Sequence, residues 1–247
     1  EVDEDCDGQM PACTCDHQFS VSFGGTGIEE AVSLDLDADG SLLLLAESYS
    51  PSFMVGGETI TTDGSVDVLL VRFDAAGNPI KAASYGGTGF DAAADVVVVP
   101  DGIWIGGFLG NGSIENFGGG ATFTGVGQDG FLVKLDADFN PIFKRKIGAA
   151  GNERVTALAR TPGGGVAVTG LFEGSVDFGG PQNLVSSGGT TDMFVAVYAS
   201  DGSHVWSRAL TGSGTETAGG LAVGPNGDVV FIGYSSAPVD FGGGPTT

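Results

Sequence analysis

The chain has 247 residues, 45 of them Gly, with 41% apolar residues and a formal net charge of −22 against only nine Lys and Arg. That apolar content supports a packed core, and the glycines follow no triplet period, which excludes a collagen-like rod. Such a negative field repels phosphate backbones and anionic lipid, so no nucleic-acid partner and no membrane insertion are expected of this segment.

Residues 1–18, EVDEDCDGQMPACTCDHQ, are acidic, have no apolar period and read as a linker ahead of one repeat domain over 19–247. Cys6, Cys13 and Cys15 all fall in this linker, which suits an oxidising extracellular setting better than a catalytic thiol. No signal peptide or apolar spanning run is present, residue 1 is Glu, and the last repeat stops halfway. The expectation is a piece of a longer secreted or surface-displayed chain. Asp3, Asp5 and Asp7 before Gly8 open like a calcium loop, but its twelfth position is Thr14 rather than Glu. A metal site and a disulfide-tethered spacer both stay open there. The VDEDCDG run resembles the acidic, cysteine-containing metal-binding repeats of large bacterial surface proteins, a likeness of about ten residues.

From Phe19 the chain repeats. Phe23-Gly24-Gly25-Thr26-Gly27-Ile28-Glu29 returns as Tyr85-Gly86-Gly87-Thr88-Gly89-Phe90-Asp91 and as Ile147-Gly148-Ala149-Ala150-Gly151-Asn152-Glu153, each time after 62 residues. Gly212-Ser213-Gly214-Thr215-Glu216 is a shorter fourth copy. A fixed long period means stacked supersecondary units. Each unit reads as four strands. The first strands are Ala31–Leu36, Ala93–Val99, Val155–Arg160 and Ala218–Val223, and the second are Leu42–Glu47, Ile103–Phe108, Val166–Leu171 and Val229–Tyr234. The third are Asp67–Phe73, Gly130–Leu135 and Met193–Tyr198. The fourth are Ile80–Tyr85, Ile142–Ile147 and Val205–Leu210, with Phe19–Phe23 as an opening copy. Apolar runs in the first two strands predict burial on both faces, and alternation in the last two places them nearer an edge. Asp39-Gly40, Asp101-Gly102, Gly163-Gly164 and Asn226-Gly227 supply hairpin turns. The expected fold is all-β: an incomplete β-propeller ring of four-stranded antiparallel blades, three full blades and part of a fourth. Phe19–Phe23 could close it, or the ring has blades beyond those in this chain.

The series GGTGxE, apolar strand, DG, VxVTGxF, VDFGG, DxFVA and NPI resembles the SBBP-type β-propeller repeats of secreted bacterial proteins over about residues 19–247. Two copies depart from it: Ile147-Gly148-Ala149-Ala150-Gly151 replaces the glycine turn, and the fourth repeat lacks its last two strands. The resemblance implies a propeller and assigns no activity.

A meander alternates its connections between two faces, and the long second-to-third loops share one of them with the inter-repeat glycine turns, the default place for a ligand. Candidates there are Glu29, Asp91, Glu115, Asn116, Glu153, Arg154, Asp177 and Glu216. The recurring acids also read as hydrogen-bond partners of the glycine turn. Asp35, Asp37 and Asp39 before Gly40 have the spacing that sets three carboxylates around a hard cation such as Ca2+, but Leu43 stands at the ninth position. A calcium hairpin and a plain acidic turn both fit. The sole histidines, His17 and His204, assemble no nucleophilic set. Trp104 and Trp206 read as core packing. The expected function is a non-enzymatic binding or spacing module, secreted or at the cell surface, with a protein or polysaccharide partner. The alternative is a carbohydrate-active enzyme using a carboxylate pair on the long-loop face.

Overall fold

The computed structural model describes residues 19–115, 117–187 and 191–241, and among these it contains strands, turns and loops with no helix. The linker with its cysteines, Asp3, Asp5 and Asp7, as well as Asn116, lie outside the described residues.

The first repeat folds as β1 (Glu29–Leu36), β2 (Leu42–Ser48), a small hairpin of β3 (Ser52–Val55) and β4 (Glu58–Thr61), then β5 (Asp67–Phe73) and β6 (Pro79–Tyr85). The second runs β7 (Ala92–Val99), β8 (Gly102–Leu109), β9 (Ile114–Glu115), β10 (Phe123–Thr124), β11 (Asp129–Leu135) and β12 (Pro141–Ile147). The third runs β13 (Arg154–Arg160), β14 (Val166–Phe172), β15 (Ser175–Val176), β16 (Leu184–Val185), β17 (Asp192–Tyr198) and β18 (His204–Gly212). After them come β19 (Glu216–Val223), β20 (Val229–Ser235) and β21 (Val239–Asp240). Each full repeat makes one four-stranded antiparallel sheet in the order first-second-third-fourth strand, with the small hairpin on the connection between second and third. The third sheet gains β21 beside β18, and β19 and β20 pair with each other. Among the described residues no hydrogen-bonded sheet joins β19 or β20 to the first repeat.

Period-two alternation explains how the sheets stack. In the second sheet Ile103, Ile105, Phe131 and Val133 face the first sheet and pack with Leu43, Leu45, Val68 and Leu70. Their neighbours in sequence, Trp104 and Leu132, face the third sheet and pack with Val166, Val168, Phe194 and Tyr198. A third cluster joins Leu171, Met193 and Val195 to Ala218 and Val229 of the last hairpin. A sheet covered on both faces shows as an unbroken apolar run, and each buried Leu or Phe contributes about 1.5–3 kcal/mol.

The burial order differs from the sequence expectation. The third strands, not the first, are buried along their length, because each has a hydrogen-bonded strand on either edge and a sheet against its faces. β1 lies at an edge and exposes Val32, Leu34 and Leu36. The charged alternates of the third strands reach across to the next sheet. Arg72 of β5 donates from Nη1 to the Ala137 carbonyl of the second sheet at 3.1 Å. Lys134 of β11, 1% exposed, donates to the Ser200 carbonyl of the third sheet at 2.7 Å, pairs with Asp101 at 2.7 Å and lies over the Trp104 ring. Trp104 is buried as expected, but Trp206 is half-exposed on β18. Phe19–Phe23 forms no strand, yet Phe23 packs on Phe53 and Phe73, and Phe19 fills the space beside Gly77 as Phe143 fills that beside Gly202.

Candidate functional site

The recurring acid closes the glycine turn. Glu29 accepts from the Gly25 amide at 3.3 Å, Asp91 from Gly87 at 2.7 Å and Glu153 from Ala149 at 3.1 Å, each four residues back. Asp91 also accepts from the Ser113 hydroxyl at 2.5 Å and the Gly110 amide at 3.0 Å, so the turn is tied to the small hairpin connection of its own repeat. Glu216 accepts from the Ser235 hydroxyl at 2.9 Å. Asp91, Glu153 and Glu216 are buried and Glu29 is half-buried.

Beside each of the three later turns stands a second acid at the start of a third strand: Asp67, Asp129 and Asp192, all buried. Its closeness accounts for the first glycine of the turn. A Cβ on Gly86 would stand 2.2 Å from Asp67 Oδ1, and one on Gly148 would stand 1.9 Å from Asp129 Oδ1. Glu115, also buried, accepts from the Gly86 amide at 2.6 Å and from the Phe117 amide. Burial pushes the Asp67 carboxyl up to about 6, with Asp91, Asp63 and Glu115 adding to the rise. Burial also raises Glu153, and Asp129 and Glu173 add to it. Of the remaining candidates, Arg154 and Asp177 are exposed, and Asp177 accepts from the Gly179 amide at 2.6 Å. The structure therefore gathers Asp91 and Glu115 around one turn, and sets Glu153 and Glu216 at the next two. It brings neither Arg154 nor Asp177 to them as a common ligand site.

The other convergence is where the first strands meet. Asp35 on β1 accepts from the Val98 amide of β7 at 2.8 Å, and Asp95 on β7 accepts from the Leu158 amide of β13 at 2.8 Å. The Ser33 hydroxyl donates to Asp95 at 2.6 Å. Arg160 of the third repeat reaches back to both oxygens of Asp35, at 2.8 and 3.1 Å. An edge strand carries unpaired amides, and here an acid from the preceding sheet takes one in each case. Asp95 and Arg160 went unread in the sequence, although each is a charge set in an apolar strand. Two open cavities border this place. One, of about 700 Å³, is bounded by Leu36, Asp37, Val99, Arg160 and Pro225, so that every repeat contributes to it.

The hairpin acids do not converge. Asp35 is committed to Val98 and Arg160, Asp37 accepts from the Ala38 amide at 2.7 Å, and Asp39 accepts from the Ser41 amide at 2.9 Å. The Ser41 amide and hydroxyl hold Asp39 below the usual carboxylate range. Among the described residues no group of three or more His, Cys, Asp or Glu side chains is arranged to hold a metal ion. None of their helices is long and apolar enough to cross a membrane, since they form none. No family model matches the chain, and neither does any curated protein.

Proposed function

We propose that the chain is a non-enzymatic binding or spacing module, secreted or displayed at a cell surface, whose successive sheets are blades of a β-propeller. The observation that carries this reading is where the recurring polar residues are spent: Asp91, Glu115 and Glu153 bond backbone amides of turns and are buried. An enzyme would hold such groups open to substrate. Four first strands around one opening favour the blade reading, as does Phe19 lying on the first sheet where Phe143 of β12 lies on the third. The opening bordered by Arg160 and Pro225 is the proposed docking place for a protein or polysaccharide.

Two measurements on the full chain test the reading. Release of reducing ends from a panel of soluble polysaccharides would overturn it in favour of a carbohydrate-active enzyme; the expected result is none. Millimolar calcium after chelation tests metal stabilisation through Asp35, Asp37 and Asp39. A cation at 100 times its Kd adds about 2.7 kcal/mol and would lift Tm by several degrees. An unchanged Tm would leave those acids as turn formers.

A further inference from the structure

Asp67 is 2% exposed, and only one of its oxygens is partnered: Oδ2 accepts from the Asp63 amide at 3.0 Å, while Oδ1 is buried with no hydrogen bond. The groups around it are acids. Asp91 has both oxygens taken by the Gly87 and Gly110 amides and the Ser113 hydroxyl. Glu115 of β9 accepts from Gly86 and Phe117, and Asp63 is exposed on the preceding loop. On the paired strand β2, Glu47 is turned to the Ala93 amide. The Tyr85 hydroxyl at the end of β6 is given to the Phe139 carbonyl. The nearby ammonium, Lys144, acts on Glu115 while it donates to the Gly119 and Ala121 carbonyls, and no ion pair reaches Asp67 among the described residues.

A buried carboxylate oxygen without a donor, beside further carboxylates, is costly. Only a proton on it or a cation against it removes that cost. Asp129 of the second sheet also buries one oxygen, Oδ1, without a donor, but there a cation stands against the carboxylate, with Lys146 Nζ 3.1 Å from Oδ2. The residue in the corresponding place of the first sheet is Ser84, as the registers Leu69–Ser84 and Phe131–Lys146 show. We propose that Asp67 holds a proton in the folded chain, so that the junction between the first and second sheets is tight in acid and loosens as pH rises to neutrality.

The sign follows from linkage. The folded carboxyl titrates near 6 against 3.8 for an unperturbed one, so the folded state keeps a proton that the unfolded chain has lost. The stabilisation is complete below about pH 4 and is lost as pH rises through about 6. Other acids slope the opposite way, so the readout is the difference between wild type and Asp67→Asn, whose amide mimics the protonated acid. The two are expected to melt together at pH 3.5, and the variant to melt higher at pH 7.5 by on the order of 3–6 °C. A difference that does not change with pH, or a variant that melts lower at pH 7.5, overturns the proposal. If calcium or potassium lifts the wild type at pH 7.5 and not the variant, a bound cation rather than a proton occupies the site, and the proposal falls. Should Asp67→Asn fail to fold, amide exchange of the wild type decides. Protection of the Gly86 and Gly87 amides, corrected for base catalysis, is expected to drop between pH 5 and 7.5, and constant protection overturns the assignment.

Discussion

The first and second inter-sheet junctions are built from the same parts and balanced differently. Each sets a buried third-strand acid, Asp67 or Asp129, against the acid that closes the glycine turn, Asp91 or Glu153. Each sends one basic side chain from the third strand to a turn carbonyl of the next sheet, Arg72 to Ala137 and Lys134 to Ser200. At the second junction Lys146 also lies on Asp129 and donates to the Thr124 carbonyl at 3.3 Å. At the first, Ser84 takes that place and its hydroxyl donates to the Thr61 carbonyl at 2.9 Å. A repeat fold thus keeps its backbone geometry while the charge balance of each joint drifts, and the joints need not be equally stable or respond alike to pH.

The largest way to break the comparison is Lys134→Ala. This fully buried side chain fills space over Trp104 and supplies the donor to Ser200, so its removal leaves both a void and an unmet carbonyl. The expected cost is about 2–4 kcal/mol, or roughly 4–12 °C in Tm. Arg72→Ala at the first junction should cost about half as much, because Arg72 is only half-buried and its Nε has no partner. Equal losses in thermal melts of the two variants would show that the joints are equivalent after all.

The Lys146–Asp129 contact allows a reciprocal exchange. Lys146→Ser makes the second joint like the first and should cost about 1–2 kcal/mol at pH 7.5, since the acid is fully buried and the lysine partly so. Ser84→Lys makes the first joint like the second. The new ammonium would have the Thr61 carbonyl and Asp67 as acceptors, as Lys146 has Thr124 and Asp129. It is expected to raise Tm at pH 7.5 by a few degrees and to leave pH 4.5 unchanged. If Ser84→Lys stabilises equally at both pH values, the gain is packing and the two joints do not differ in charge.

The strand framework was legible because its signals are local. Period-two alternation, Asp-Gly and Asn-Gly turns and the 62-residue return placed the four long strands of each of the three sheets to within two residues, while β21, the fifth strand of the third sheet, was not expected. Burial was not legible from the same pattern. Arg72 and Lys134 look like a wet face until the next sheet supplies their carbonyls, and Leu34 and Leu36 look like core although they stand exposed among the described residues. The small hairpins β3–β4, β9–β10 and β15–β16 were hidden in what reads as one glycine-rich connection. At the candidate site the acids were found by recurrence. That Asp91 serves Gly87, Gly110 and Ser113 depends on a connection folding back some twenty residues later, and the Arg160–Asp35 contact spans two repeats.

The smallest test concerns a turn that differs between the repeats. Between third and fourth strands the first and third sheets place Gly77 and Gly202 at φ 84° and 83°, and the second places Phe139 at φ 66°. A non-glycine residue there costs about 1–2 kcal/mol. Phe139 offsets this through its buried ring, which lies beneath the cations of Arg72 and Lys81 at 5.5 and 5.6 Å. Phe139→Gly relieves the backbone and loses the ring, about 1.5–3 kcal/mol of burial and about 0.5–1 kcal/mol of cation–π attraction. The net expectation is a loss of about 1 kcal/mol, near 3 °C in Tm. A variant more stable than wild type would mean that the ring contributes little across the joint. Arg72 would then hold the first and second sheets together through its bond to Ala137 alone.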